Sequence, residues 1–186
     1  AQPSLIIDGV SSPAELIKLA KAQLYGQKYD ILPATHLMSS PSFTHGGWQE
    51  LAFTLAEQYK LITFDNFMHL FDPPEGVSTT EAAFWIACKQ FLIKLRGLTT
   101  VVLIDHAATA VPGKMTTAAG TKDKIKTMTM AGVMTPLKQS DNVLDMAGFE
   151  LDFHRAKGGK TRGGYDRNLH EPGKVIFENG TFTRVL

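Results

Sequence analysis

Lys60-Leu61-Ile62-Thr63-Phe64-Asp65-Asn66 is the stretch on which the fold turns: four mostly apolar residues, then an acid and an amide. It reads as a central β-strand ending at a turn. One helix later comes Thr99-Thr100-Val101-Val102-Leu103-Ile104-Asp105-His106, the most β-branched run in the chain. Between them, Asp72-Pro73-Pro74-Glu75-Gly76 breaks the chain, Ser78 or Thr79 supplies a cap, and Glu81 to Arg96 has amphipathic helical spacing up to Gly97. Strand, helix and strand in that order imply a parallel sheet joined by right-handed crossovers.

Working outward toward the N-terminus, Leu5-Ile6-Ile7-Asp8-Gly9 reads as another buried strand ending in a turn. Ser12, Pro13 and Glu15 form a helix start, with a cap, a proline at the first helical position and an acid in the first turn. A helix over 13–25 follows. Tyr29 to Pro33 is a second short strand, Ser39 to Gly47 is rich in Ser, Pro and Gly and reads as an exposed loop, and Trp48 to Gln58 has helical spacing.

Beyond residue 107 the texture changes. Ala108 to Thr127 is small, polar and basic, and reads as a loop. Three β-like pieces follow, Ala131 to Leu137, Phe149 to His154 and Lys174 to Leu186, the last with an Asn179-Gly180 hairpin signal. They are expected to pair antiparallel. The Gly-dense segment from Arg155 to Gly173 carries many cations. The expectation is a three-layer α/β domain, a mostly parallel sheet flanked by helices, with C-terminal antiparallel strands, and one domain over 1–186.

At 186 residues, with 44% hydrophobic and 20% charged residues, the composition is that of a folded globular chain and excludes disorder, collagen-like repeats and coiled coil. Nineteen Lys and Arg against eighteen Asp and Glu give a net charge of +1, so the overall charge announces neither a nucleic-acid nor a membrane binder. No apolar run approaches the roughly 20 residues that span a bilayer. Cys88 is the single cysteine, in an apolar helical stretch, which points to a reducing, cytoplasmic compartment. An Ala-Gln start is also compatible with signal cleavage, but nothing else in the chain has the texture of a secreted protein.

In open α/β sheets ligands gather beyond the carboxyl ends of the strands. Three such ends carry polar groups here: Asp8-Gly9, Asp65-Asn66 and Asp105-His106. A carboxylate at the end of a buried strand is poorly solvated unless it is hydrogen-bonded or meets a cation. One reading of Asp65 is therefore a cap on the amides of the next loop. The other is a metal site on a nucleotide-binding sheet, since four strand residues followed by Asp is the form of a Walker B strand, whose acid holds the magnesium shell of a nucleoside triphosphate.

With the second strand and its Asp105-His106 end, the chain resembles the RecA-like P-loop ATPases, and among them the hexameric RepA-type replication helicases and their phage relatives. The stretches that carry the resemblance are Leu5 to Gly9, Leu61 to Leu70, Val101 to Thr109, Gly113 to Lys126 and Phe149 to Gly159, in the family's order along nearly the whole chain. The resemblance implies that Asp65 is the Walker B acid and magnesium ligand, with Asn66 beside it. Asp105 and His106 would lie in the sensor position, facing the γ-phosphate or the attacking water. Arg155 or Lys157 would serve as a cationic finger toward a neighbouring subunit's nucleotide. ATP, Mg2+ and a homo-oligomeric assembly are the corresponding cofactors and partner, because phosphoryl transfer is mostly stabilisation of charge on the transferred group.

The sequence also departs from that family. G-x-x-x-x-G-K-[ST] does not occur. Gly159-Lys160-Thr161 has His154 where the first Gly belongs and no helix start after it, and Gly113-Lys114 is followed by Met115 and has Ala108 at the first Gly. Val10 and Ser11 stand where the family carries an acid after the Asp-Gly turn. The expectation is a chain about 40 to 60 residues short of a full RecA-like core, by the size of a strand-helix unit, that binds ATP poorly in this form.

A different class of reading is a non-catalytic nucleic-acid-binding or scaffold module, in which Lys122, Lys124, Lys126 and Arg162 contact DNA or RNA phosphates. A third, a hydrolase or zinc enzyme, has little support. The six histidines form no H-x-x-x-H pair and no Gly-x-Ser-x-Gly elbow is present.

Overall fold

The computed structural model describes residues 3–17, 29–34, 42–78, 82–106, 128, 132–136, 147–153, 173–178 and 181–185. The chain divides into two compact units, one containing the described residues up to His106 and the other the strands from Gly132 onward.

In the first unit, strands β1 (Ser4–Asp8), β2 (Tyr29–Pro33), β3 (Leu61–Asp65) and β4 (Thr100–Ile104) form one sheet in the order β2-β1-β3-β4. Every pairing is parallel. Helix α1 (Gly46–Ala56) connects β2 to β3, and a one-turn helix α2 (Phe67–Leu70) followed by α3 (Ala82–Arg96) connects β3 to β4. The helix after β1 begins at residue 13 as its sequence dictates. Ser12 and Glu15 close a capping box: the Ser12 N–H donates to Glu15 Oε2 at 2.8 Å, and the Glu15 N–H donates to Ser12 Oγ at 3.3 Å.

The order of the strands divides the connections between the two faces. Leaving β1 for β2 moves one way along the sheet, whereas β2 to β3 and β3 to β4 move the other way. Right-handed crossovers then carry the first helix over one face and α1 and α3 over the opposite face. The β-strand period of two aims Leu5, Ile7, Ile62 and Phe64 at the α1/α3 face, and all four are buried. There Phe64 meets Phe43 edge-on at 5.0 Å and Phe91 of α3 at 6.3 Å, while Phe53 of α1 meets Phe91 at 5.5 Å. Phe67, Phe71, Phe84 and Trp85 extend the cluster. Such ring pairs add about 0.5–1.5 kcal/mol each beyond the area they bury.

Two local expectations differ from the structure. Ser39 to Gly47 read as an exposed loop, yet Ser42 and Phe43 are fully buried. The Phe43 N–H donates to the Leu70 carbonyl at 2.8 Å, and Ser42 Oγ accepts from the Asp72 N–H at 2.9 Å. Long-range pairing with α2 overrides the local loop signal. Helix α1 starts at Gly46, two residues before Trp48, through glycines that local propensity disfavours. Cys88 is buried in α3.

The second unit contains strands β5 (Gly132–Pro136), β6 (Ala147–Phe153), β7 (Gly173–Glu178) and β8 (Thr181–Val185). They pair antiparallel in sequence order. Glu178 lies opposite Thr181, the register that a two-residue Asn179-Gly180 connection permits.

Candidate active site

Parallel register sets Asp8 at the end of β1 directly beside Asp65 at the end of β3. The chain leaves β1 toward one face and β3 toward the other, so the two acids flank a topological switch point, where open α/β sheets leave a crevice for ligands. The Gly9 N–H donates to the Asp65 carbonyl at 2.6 Å and holds the two strand ends together beyond the last paired residues. Glycine is favoured there, because a Cβ at residue 9 would come within 2.8 Å of the buried Leu70 side chain and force it to shift.

Asp8 is buried and its carboxylate is satisfied locally. Asp8 Oδ1 accepts from the Val10 N–H at 2.8 Å and from the Ser11 N–H at 2.7 Å. The loop-capping role weighed for the strand-end acids is thus filled by Asp8. Asp65, half-buried beside it, has a different environment. Desolvation first, and then the charge of Asp8, push its carboxyl above the ordinary aspartate value.

The Asp65–Asn66 peptide bond is cis. Asn66 is the N-cap of α2: its Oδ1 accepts from the His69 backbone N–H at 3.2 Å and from His69 Nδ1 at 2.8 Å. Its other amide arm reaches across to β4's end, where Asn66 Nδ2 lies 3.3 Å from His106 Nε2. The His106 backbone N–H donates to Asp105 Oδ1 at 2.9 Å.

Of the residues singled out from sequence, Asp65, Asn66, Asp105 and His106 come together at the carboxyl ends of β3 and β4. Arg155, Lys157, Lys122, Lys124, Lys126 and Arg162 lie outside the described residues. Sequence reasoning passed over His69. No local signal marks it: a strand-end Asn is a candidate helix N-cap, but cap rules concern the backbone N–H three residues on and not a histidine ring. An open depression lined by Lys60, Arg96, Leu98 and Thr100 lies at the amino ends of β3 and β4 and includes none of these residues.

The donor set suits one hard cation better than a protein-caged metal. Among the described residues no group of three or more His, Cys, Asp or Glu is placed to hold a metal ion. Mg2+ binds through one or two carboxylates and completes its octahedron with water and substrate phosphates. Asp65, raised by burial and by a neighbouring carboxylate, gains from such a cation, so the residues fit it.

Over its whole length the chain is similar in fold to flagellar accessory protein FlaH from Methanocaldococcus jannaschii, with a TM-score of 0.57, 10% identity and 77% of that chain covered. It is also similar over its whole length to the RadB recombinase, with a TM-score of 0.54, 12% identity and 80% of that chain covered. No protein-family model and no curated protein sequence matches the chain. The parallel four-stranded sheet flanked by helices is the RecA-like α/β fold. No helix among the described residues is long and apolar enough to cross a membrane.

Proposed function

We propose that this chain is the RecA-like core of a nucleic-acid-dependent ATPase or helicase, of the lineage that includes the RepA-type enzymes, in which Asp65 holds the magnesium shell of a nucleoside triphosphate. The observation that carries the reading is the convergence of Asp65, Asn66 and His106 at the carboxyl ends of β3 and β4, beside the switch point between β1 and β3, with the Asp65 carboxyl shifted upward by burial and by Asp8. Bound magnesium would supply charge neutralisation at the phosphates. Around it, Asp65 binds, Asn66 orients His106, and His106 meets a phosphate oxygen or the attacking water.

ATP binding by these residues alone is weak in this reading. A P-loop's lysine and amide nest each supply charge-assisted contacts of roughly 1.5 to 3 kcal/mol. Without the G-x-x-x-x-G-K-[ST] sequence, affinity falls to about millimolar or worse, since 1.4 kcal/mol is about tenfold. Arg155 or Lys157 acts in trans in a homo-oligomer. Lys122, Lys124, Lys126 and Arg162 contact nucleic acid, a role supported by the basic character of their segments and by a recombinase among the structural neighbours.

Titration of Mg-ATP into the whole chain tests this. The expected result is weak binding that requires Mg2+ and disappears in Asp65→Ala. Binding that persists in chelator, or none at all, removes the motor reading and leaves the non-catalytic nucleic-acid-binding or scaffold module. That alternative is recognised by DNA affinity that falls steeply with salt while ATP has no effect.

A further inference from the structure

The hydrogen bonds around Asn66 fix more than its own position. The His69 backbone N–H can only donate, so the Asn66 atom that receives it is the oxygen. His69 Nδ1 sits 2.8 Å from that same oxygen, which has a second lone pair and no proton to give, so Nδ1 carries the hydrogen. Both bonds assign the other arm of the amide as NH2. That NH2 faces His106 Nε2 at 3.3 Å, and the contact is a hydrogen bond only if Nε2 is unprotonated. A neutral imidazole keeps one ring proton, which for His106 must then be on Nδ1.

We propose that Asn66, held by its cap on α2 and by His69, is a positioning residue that sets His106 in the Nδ1–H tautomer, so that His106 is a neutral hydrogen-bond donor and not a base at Nε2. An unconstrained histidine side chain in water favours the opposite tautomer. The helix cap is what reverses the preference: rotating the amide to offer its oxygen to His106 would set NH2 against two donors at His69. A neutral donor suits an anionic oxygen, and its functional meaning rests on the reading of His106 as the group that meets a phosphate oxygen. The tautomer itself does not depend on that reading.

The test is long-range 1H–15N correlation of the imidazole rings in the 15N-histidine-labelled whole chain, without nucleotide, at a pH about two units above the ordinary histidine value. In the wild type His106 shows a protonated Nδ1 and a bare Nε2. In Asn66→Asp the capping oxygen remains but the second arm can only accept, so the proton moves to Nε2, whether the ring is neutral or doubly protonated. In Asn66→Ser, which keeps a good N-cap and has no second arm, His106 returns to the tautomer mixture of an unconstrained histidine side chain, mostly Nε2–H. An Nε2–H tautomer in the wild type overturns the inference even if neither variant folds. So does an unchanged Nδ1–H tautomer in either folded variant. An Nδ1–H tautomer in a chain that never binds Mg-ATP leaves the inference standing and removes the proposed function, and the reverse pair of results does the opposite.

Discussion

Asp8 and Asp65 occupy the same register position on adjacent parallel strands, yet one is built into the fold and the other is set against it. Asp8 accepts two backbone N–H groups from the loop it starts, which is the ordinary way to make a buried carboxylate tolerable. Asp65 is shifted upward by burial and by its neighbour's charge. The difference arises in the residues just after each acid. Beyond Asp8 the chain turns at Gly9 and folds Val10 and Ser11 back onto the carboxylate. Beyond Asp65 stands Asn66, whose side chain takes over the capping of α2. Burial first, and the charge of the structural acid second, thus raise the Asp65 carboxyl.

The comparison breaks most severely if Asp8 loses its carboxylate. Asp8→Ala leaves two part-buried amides without their acceptor and should lower stability by about 2 to 3 kcal/mol, the cost of hydrogen bonds to a charged group. The check is the midpoint of denaturant unfolding at unchanged slope. In the same variant the Asp65 carboxyl should titrate closer to its ordinary value, because the second cause of its shift is gone. An Asp65 titration that does not move would show that burial alone sets it.

Gly9→Ala attacks the junction between the two acids. The added methyl meets Leu70 Cγ and Cδ2 at 2.8 Å, and Leu70 is fully buried, so either the side chain leaves its rotamer or the Gly9 to Asp65 bond opens. Overpacking of this kind costs about 1 to 3 kcal/mol. Thermal unfolding measures it, and a neutral Gly9→Ala would mean that the strand ends are not held at this spacing.

The sheet and this junction were legible in sequence to different depths. Leu61 to Asp65 and Thr100 to Ile104 declare themselves through β-branched apolar runs that end in acids, and Ser12 with Glu15 marks a helix start within four residues. The same local signals explain why Asp65, Asn66, Asp105 and His106 could be placed together, since strand ends in a parallel sheet meet at one edge. Phe43 and His69 were not legible. Phe43 lies in a Ser-, Pro- and Gly-rich stretch whose composition argues for solvent, and it is buried by pairing with Leu70, a long-range contact that no local pattern encodes. His69 looks like any other scattered histidine until the Asn66 cap gives its spacing meaning. Asp8 was visible as a strand end, but nothing in the sequence says which of two neighbouring acids takes the loop amides.

The smallest expected effect is also the one that separates the two acids most cleanly. Asp65 has a folded-state carboxyl value above its unfolded one, so between those values the native state binds more protons than the unfolded state. Stability then falls as pH rises through that window. The cost is absent below the unfolded value and fully present above the folded one. Asp65→Asn carries no charge at any pH, so the variant should match the wild type in acid and become the more stable of the two above the window. Asp65 is partly exposed and solvent screens it, so the gain is no more than about 0.5 to 1 kcal/mol. Adding Mg2+ should narrow the gap by stabilising only the wild type, because a ligand that binds the native state alone raises its stability by mass action. A variant that is less stable than the wild type at neutral pH without metal would show that Asp65 supports the fold as Asp8 does, and the distinction between the two acids would then be lost.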